Sequence, residues 1–276
     1  MKRNVILIAI ASMLTLSLSA QQARHDIRQH VELAGSNYVA YPGPKKALTA
    51  APKGYEAYYI SHYGRHGSRY LIGTNDYDKP YNMLLKADSL GKLTAKGKDV
   101  LAKVKLIREE AQLRDGELTL LGAQQHRGIA KRMYERFPEV FKGKTAIDAR
   151  STIVIRCILS MENELQQLAS MNPQLEIAHD ASVHDMWYLN DSHSPYSRLR
   201  DTKEASKANS EFSKRHDNWD HLMTVLFSDP EYVKTINAGS LARHLFKLTS
   251  NVQSTELQIG RASCRERCRS RWSPYH

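Results

Sequence analysis

Residues 55–63, Tyr-Glu-Ala-Tyr-Tyr-Ile-Ser-His-Tyr, form a nearly continuous apolar and aromatic run of strand length, and few architectures accommodate one. A strand half-exposed to water alternates apolar and polar side chains. A run without that alternation predicts a central strand covered on both faces. It follows a loop, Tyr41–Gly54, that holds three prolines and two glycines, and it ends at Gly64. Three helical patterns come next. Thr94–Gln112 sets Val100, Leu101, Val104 and Ile107 on one stripe. Thr119 can cap a helix that runs to Phe137, with Ile129, Met133 and Phe137 four apart and Pro138 marking its end. Ser151 or Thr152 can cap a third, in which Val154, Ile158, Met161, Leu165 and Leu168 repeat at amphipathic spacing. Thr145–Arg150 and Gln174–His179 are short strand candidates on either side of it. Beyond Asp180 the chain is polar and helical in patches: Lys203–Arg215, Trp219–Phe227 and Ser240–Leu248. Strands separated by helices predict an α/β fold, with a partly parallel sheet, flanking helices and a helical cap. The expected division is a core over 21–180 with inserted helices and a mainly helical cap region over 181–258.

The chain has 276 residues, 41% hydrophobic and 25% charged, enough apolar material for a sizeable core. Its formal charge of +11 suggests a nucleic-acid binder until the charge is located. Lys2 and Arg3 belong to a segment, Met1–Ala20, that reads as a secretory signal: a positive start, an apolar Val5–Leu18 and small residues for cleavage. Residues 259–276 carry five arginines against one glutamate in a string without apolar periodicity. This string resembles the translation of a sequencing adapter, so it is expected to be non-native, with the natural chain continuing past Gln258. What remains is a mildly basic body. It suits a small anionic ligand and argues against a nucleic-acid partner. The mature chain is expected to be periplasmic or secreted, with no stable membrane insertion. Two of the three cysteines, Cys264 and Cys268, fall in the tail, and Cys157 alone gives no disulfide framework.

The chemistry concentrates in Arg65-His66-Gly67-Ser68-Arg69, directly after the expected strand. In open α/β sheets ligands bind at the carboxyl ends of strands. Two guanidiniums flanking an imidazole suit a tetrahedral dianion, since each offers planar, permanently charged donors. A neutral imidazole can attack phosphorus, giving a phosphohistidine that water resolves, while the cations stabilise the equatorial oxygens. Nothing in that chemistry requires a metal or a cofactor. The competing reading of the same residues is a strand-end loop with solvated arginines.

The segment resembles the R-H-G-x-R-x-P signature of the histidine phosphatase superfamily, in its acid-phosphatase and phytase branch. Four ordered segments extend the likeness: YISHYGRHGSRYL, GELTLLGAQQHRGIAKRMYERFPEVF, STIVIRCILSM, and Ala-Ser-x-His-Asp-Met at Ala181–Met186. Together they are similar to the bacterial multiple inositol-polyphosphate phosphatases over roughly residues 40–258. The resemblance implies a phosphomonoesterase for phytate and lower inositol phosphates, with some family members acting on 2,3-bisphosphoglycerate. Under it His66 matches the nucleophile, and Arg65, Arg69 and Arg156 match the phosphate clamps, Arg156 from the start of a later helix. Leu71 stands where the signature commonly has proline. The family's late His-Asp or His-Ala-Glu motif, which supplies the proton donor, has no convincing copy. The chain is therefore expected to be truncated before it, with an incomplete sheet.

His179-Asp180 and His184-Asp185 lie too early in the chain for that motif and read as cap or loop residues. His62 and His66 are four apart but lack the Glu of a helical zinc pair. His179, His184 and His193 with Asp180, Asp185 and Asp191 fit no metal-ligand spacing. His126 reads as a structural helix residue, and Trp187, Tyr188 and Trp219 as core packing. Two alternatives stand beside the leading function: a broad-specificity histidine acid phosphatase, and a non-catalytic phosphate-binding fragment.

Overall fold

The computed structural model describes residues 22–44, 46, 49–190, 196–197 and 202–257. The signal-like segment, the Arg-rich tail with Cys264 and Cys268, and Asp191 and His193 lie outside the described residues. After a 3-10 segment, Val31–Tyr38, come helices α1 (Asn75–Ser89), α2 (Ala95–Glu110) and α3 (Leu120–Arg136). Strand β1 (Ala146–Ser151), helix α4 (Ile155–Met171) and strand β2 (Glu176–Ala181) make a β-α-β unit. Its two strands pair in parallel, in register from Ala146 opposite Glu176 to Ser151 opposite Ala181. The chain continues through a short α5 (Met186–Leu189), α6 (Lys203–His216), α7 (Asp220–Leu226), α8 (Pro230–Lys234) and α9 (Ala238–Asn251). The described residues are thus helix-rich around a small parallel sheet, an α/β arrangement. Among them no helix is long and apolar enough to cross a membrane.

Capping chemistry sets several boundaries. The Thr94 and Thr119 side chains accept from Gly97 N and Gly122 N, opening α2 and α3, the second as its sequence predicts. Helix α4 departs from expectation. Its N-cap is Val154 with no side-chain bond, because Ser151 is drawn into β1 as the partner of Ala181. Helix α1 has no counterpart in the apolar periodicity. It tolerates Pro80 inside it and buries Tyr77, Pro80, Leu84 and Ala87.

One apolar cluster joins Leu84 of α1, Val104 and Ile107 of α2, Leu226 of α7 and Leu241, Leu245 and Leu248 of α9. The helices after residue 220 therefore share a core with those before residue 111. Helices α2 and α7 approach so closely that a Cβ on Gly97 would stand 2.2 Å from Leu226 O. A second cluster, Ala130, Phe141 and Leu168, lies between α3, α4 and β1, with Ile60 and Ile147 against it. Asn172 ties this half together. Buried, it donates to Phe141 O (2.7 Å) and Gly143 O (2.9 Å) and accepts from Gln174 N (2.9 Å). Asn172→Ala would leave the Phe141 carbonyl and the Gln174 amide without partners, while Gly143 O would keep Thr145 N, and chemical denaturation should read a loss of about 1–3 kcal/mol.

The expected central strand is corrected. Residues 55–63 take no regular secondary structure, and no strand among the described residues pairs with them. Tyr55, Tyr58, Tyr59 and Tyr63 are exposed, Tyr58 at 92%, and Ile60 is the side chain that reaches the second cluster. A run apolar on both faces is buried only where layers cover both, and here one layer covers a single position. Trp187 and Tyr188 are likewise not core. Both are exposed on α5, edge to face at 5.2 Å, while neighbouring Met186 takes the buried position. Trp219 does pack against the main cluster.

Candidate active site

The residues after Gly64 turn into a cavity of about 290 Å³. Its lining includes Tyr38, Tyr41, His62, Arg65, His66, Arg69, Gln125, His126 and Asn251. The turn is held from two helices. From α4, Ser160 Oγ accepts from Gly67 N (3.1 Å) and donates to Arg156 O (2.8 Å). From α3, Gln125 Oε1 accepts from Ser68 N (2.9 Å). The capping hydroxyl of Thr119 donates to Ser68 O (3.0 Å), and Thr119 N donates to the same oxygen (2.9 Å). Past the turn, Tyr70 N donates to Glu117 O (3.0 Å), and Arg69 pairs with Leu118 in an antiparallel bridge. Because the Gly67 and Ser68 amides are spent on protein oxygens, the guanidiniums are left as the turn's strong anion donors.

Backbone meets backbone here. A Cβ on Gly67 would stand 2.5 Å from Gly122 O, and one on Gly122 would stand 2.3 Å from Ser68 O. Neither position has room for a side chain. Leu71, where the resembled signature has proline, is buried and donates its N–H to the buried Tyr77 hydroxyl (2.8 Å). Proline has no such hydrogen, which explains the departure.

His66 is half-buried. Its Nδ1 lies 2.8 Å from Gly67 O. A carbonyl only accepts, so Nδ1 carries the hydrogen and the neutral ring keeps its lone pair on Nε2. Burial, reinforced by the charges of Arg156, Arg69 and Arg65, pushes the imidazole down to about 4, against the smaller opposing pull of the Gly67 carbonyl. The ring is therefore neutral across ordinary pH, as a nucleophile must be. Arg69 is also lowered, by burial first and then by Arg156. Its Nη1 donates to Tyr70 O (2.7 Å).

The structure brings Arg65, His66 and Arg69 into one cavity wall. Arg156 does not line that cavity. It sits in the first turn of α4, Nη1 3.4 Å from Gly116 O, close enough for its charge to act on both His66 and Arg69. Nε of Arg69 and Nε of Arg156 are both buried without a partner. Like charges gathered around a half-buried imidazole are unfavourable until an anion joins them.

Three groups escaped the sequence reading: Gln125, Ser160 and Glu164. Their signal was helical spacing. Arg156, Ser160 and Glu164 fall four apart along one face of α4, and Gly122, Gln125, His126 and Ile129 along one face of α3. Glu164 meets His126 Nδ1 at 2.8 Å and His62 Nε2 at 3.5 Å. The early His-Asp pairs lie elsewhere. Asp148, Arg150, Asp180, His184 and Asp185 line a separate open cleft at the ends of β1 and β2. In it Arg150 bridges Asp148 and Asp180, His184 pairs with Asp185, and nearby His179 pairs with Glu162.

Solved structures share this architecture. The multiple inositol polyphosphate phosphatase of Bifidobacterium longum, solved with inositol hexasulfate, superposes with a TM-score of 0.54 over 76% of this chain. Its apo form gives 0.55 over 75%. Both are 17% identical to this chain. The fold is the one that this solved phosphatase shows. The likeness reaches the fold and stops there, and this chain spans 58% of the first neighbour's length and 57% of the second's. No protein-family model matches the sequence, and no curated protein matches it.

Proposed function

We propose that the cavity is the phosphate site of a phosphomonoesterase that forms a phosphohistidine at His66, with inositol polyphosphates as substrates. One observation carries the reading: the Gly67 carbonyl fixes the His66 tautomer and leaves the Nε2 lone pair beside Arg65 and Arg69. In the first step that lone pair forms an N–P bond as the P–O bond to the leaving alcohol breaks, and the alcohol oxygen takes up a proton. Water then attacks phosphorus, the N–P bond breaks, the proton of water is released and Nε2 regains its lone pair. The guanidiniums stabilise charge on the equatorial oxygens throughout. Inositol polyphosphates are the favoured class because the sequence resembles their phosphatases and because the structural neighbour was solved with the hexasulfate analogue. Export to the periplasm or medium belongs to this reading and rests on residues 1–20.

A second reading, binding without turnover, is favoured by one feature: no Asp or Glu lines the cavity among the described residues. The two readings part on a substrate whose leaving group needs no acid. Incubated with 2,4-dinitrophenyl phosphate and quenched in alkali, the chain should yield an acid-labile phosphohistidine at His66. Phosphate binding without any trapped intermediate would leave the non-catalytic reading standing. Comparable turnover of phytate and simple monoesters would favour a broad acid phosphatase.

The low His66 value also sets a pH dependence. Well below saturation, where the rate reports the free protein, intermediate formation should show no loss from His66 protonation as pH falls from neutral, and a loss of about tenfold per unit only below about 4. Rapid-quench measurements between about pH 3 and 7 would read this, and a midpoint near the ordinary histidine value would contradict it.

A further inference from the structure

Behind the cavity lies a carboxylate that the phosphoryl chemistry does not use. Glu164, 13% exposed, stands two turns beyond Arg156 on α4, between the imidazoles of His126 and His62. His126, on α3, is 6% exposed and meets Glu164 Oε1 at 2.8 Å. His62, in the 55–63 segment, turns its Nε2 to the same oxygen at 3.5 Å while 36% of its side chain stays exposed. A buried carboxylate is costly unless its neighbours supply hydrogens and charge. Two imidazoles are what this protein supplies.

His62 and His126 both line the cavity that holds Arg65, His66 and Arg69. His62 also lies back over the turn: a Cβ on Gly64 would stand 2.8 Å from its Nε2. The two ends of this arrangement pull apart. Glu164 raises the His62 imidazole through its hydrogen bond and charge, more than burial lowers it, while burial holds His66 far below. Two rings that share one cavity are thereby divided into a neutral one and a protonatable one.

We propose that His62 is a further anion-contacting group of this cavity, a cationic imidazole that Glu164, itself gripped by His126, positions against a bound tetrahedral oxyanion. The proposal rests on the reading of the cavity as an anion site and adds to it a residue with its own titration. The titratable and charged groups around His62 are Glu164 from α4 and His126 from α3. The turn contributes Arg65, His66 and Arg69, the end of the 3-10 segment contributes Tyr38, and the chain after it contributes Tyr41. Glu164 is the carboxylate among them, so its removal should be felt at His62 first.

Inorganic sulfate is the suitable probe, because its charge is constant between about pH 5 and 8, where neutral His66 does not titrate either. Calorimetry on the full chain should show sulfate affinity falling about five- to tenfold over that range as His62 loses its proton. In Glu164→Gln the fall should move to lower pH, and in His62→Gln it should flatten. A wild-type slope retained in His62→Gln overturns the proposal while leaving the anion site intact. Failure of the wild-type chain to bind sulfate at any pH overturns the anion site and this proposal with it. A readout independent of any variant's folding is the His62 ring resonance of the wild-type chain. It should titrate above the ordinary histidine value and shift on addition of sulfate, and a His62 that does neither overturns the assignment.

Discussion

His66→Ala is expected to lower phosphoenzyme formation by at least about 10³-fold while leaving the fold and anion binding in place. The asymmetry follows from what each group contributes. Nε2 of His66 supplies the electron pair that becomes the N–P bond, whereas the other two imidazoles of the wall, His62 and His126, are engaged with Glu164. Arg65 and Arg69 remain, and Arg156 stands close by. Sulfate affinity should therefore change by no more than a few fold, since the neutral ring it loses contributes no charge. The measurement pairs quantitation of trapped intermediate with calorimetric sulfate binding on the same preparation. A His66→Ala protein that still accumulates phosphohistidine would move the nucleophile elsewhere, with His62 and His126 the imidazoles to suspect. Joint loss of trapping and sulfate binding would instead mean that the ring holds the turn together, and the mechanism above would lose its support.

Gly122→Ala is expected to have the larger effect on the protein itself. The added methyl would stand 2.3 Å from Ser68 O and 2.9 Å from Ser68 N, both backbone atoms. It cannot rotate away, and Ser68 is pinned by Gln125 on one side and by Thr119 on the other. Either α3 moves off the turn, exposing the face that carries Gln125 and His126, or the turn leaves α3 and carries Arg65, His66 and Arg69 with it. The first course resembles overpacking and costs about 2–3 kcal/mol, a fall in Tm of about 5–10 °C for a chain of this size. The second costs at least about tenfold in sulfate affinity through misplaced guanidiniums. Thermal melts and calorimetry on one variant measure both. Wild-type Tm together with wild-type affinity would show that the close approach of α3 and the turn is not needed.

Much of the architecture could be read before any coordinates, and the parts that could not share a cause. Helices α2 and α3 carry their own evidence in an apolar stripe and a capping threonine, so local sequence suffices. The short strands flanking α4 were legible from their position between helical patterns. Helix α1 was not, because Pro80 and the polar Asn75-Asp76-Tyr77-Asp78 start mask a stripe that only packing reveals. The run at 55–63 signals apolar content correctly, but whether such a run is buried is decided by neighbours far away in sequence. The site divides in the same way. Arg65, His66 and Arg69 are legible because they are contiguous. Gln125, Ser160 and Glu164 act on residues about 57 to 102 positions away, across contacts that exist only after α3 and α4 have packed. Their helical spacing is visible in the sequence, but what they face is not.

The bond from Leu71 N to the Tyr77 phenol makes those two positions a linked pair. A chain that acquires proline at 71 strips the phenol of its amide donor in a dry interior, and one that replaces Tyr77 by phenylalanine strands the amide instead. Neither single step is neutral, whereas both together can be. Drift between the two states therefore runs through a disfavoured intermediate, and a search pattern that insists on proline here will pass over chains that have settled on the other side.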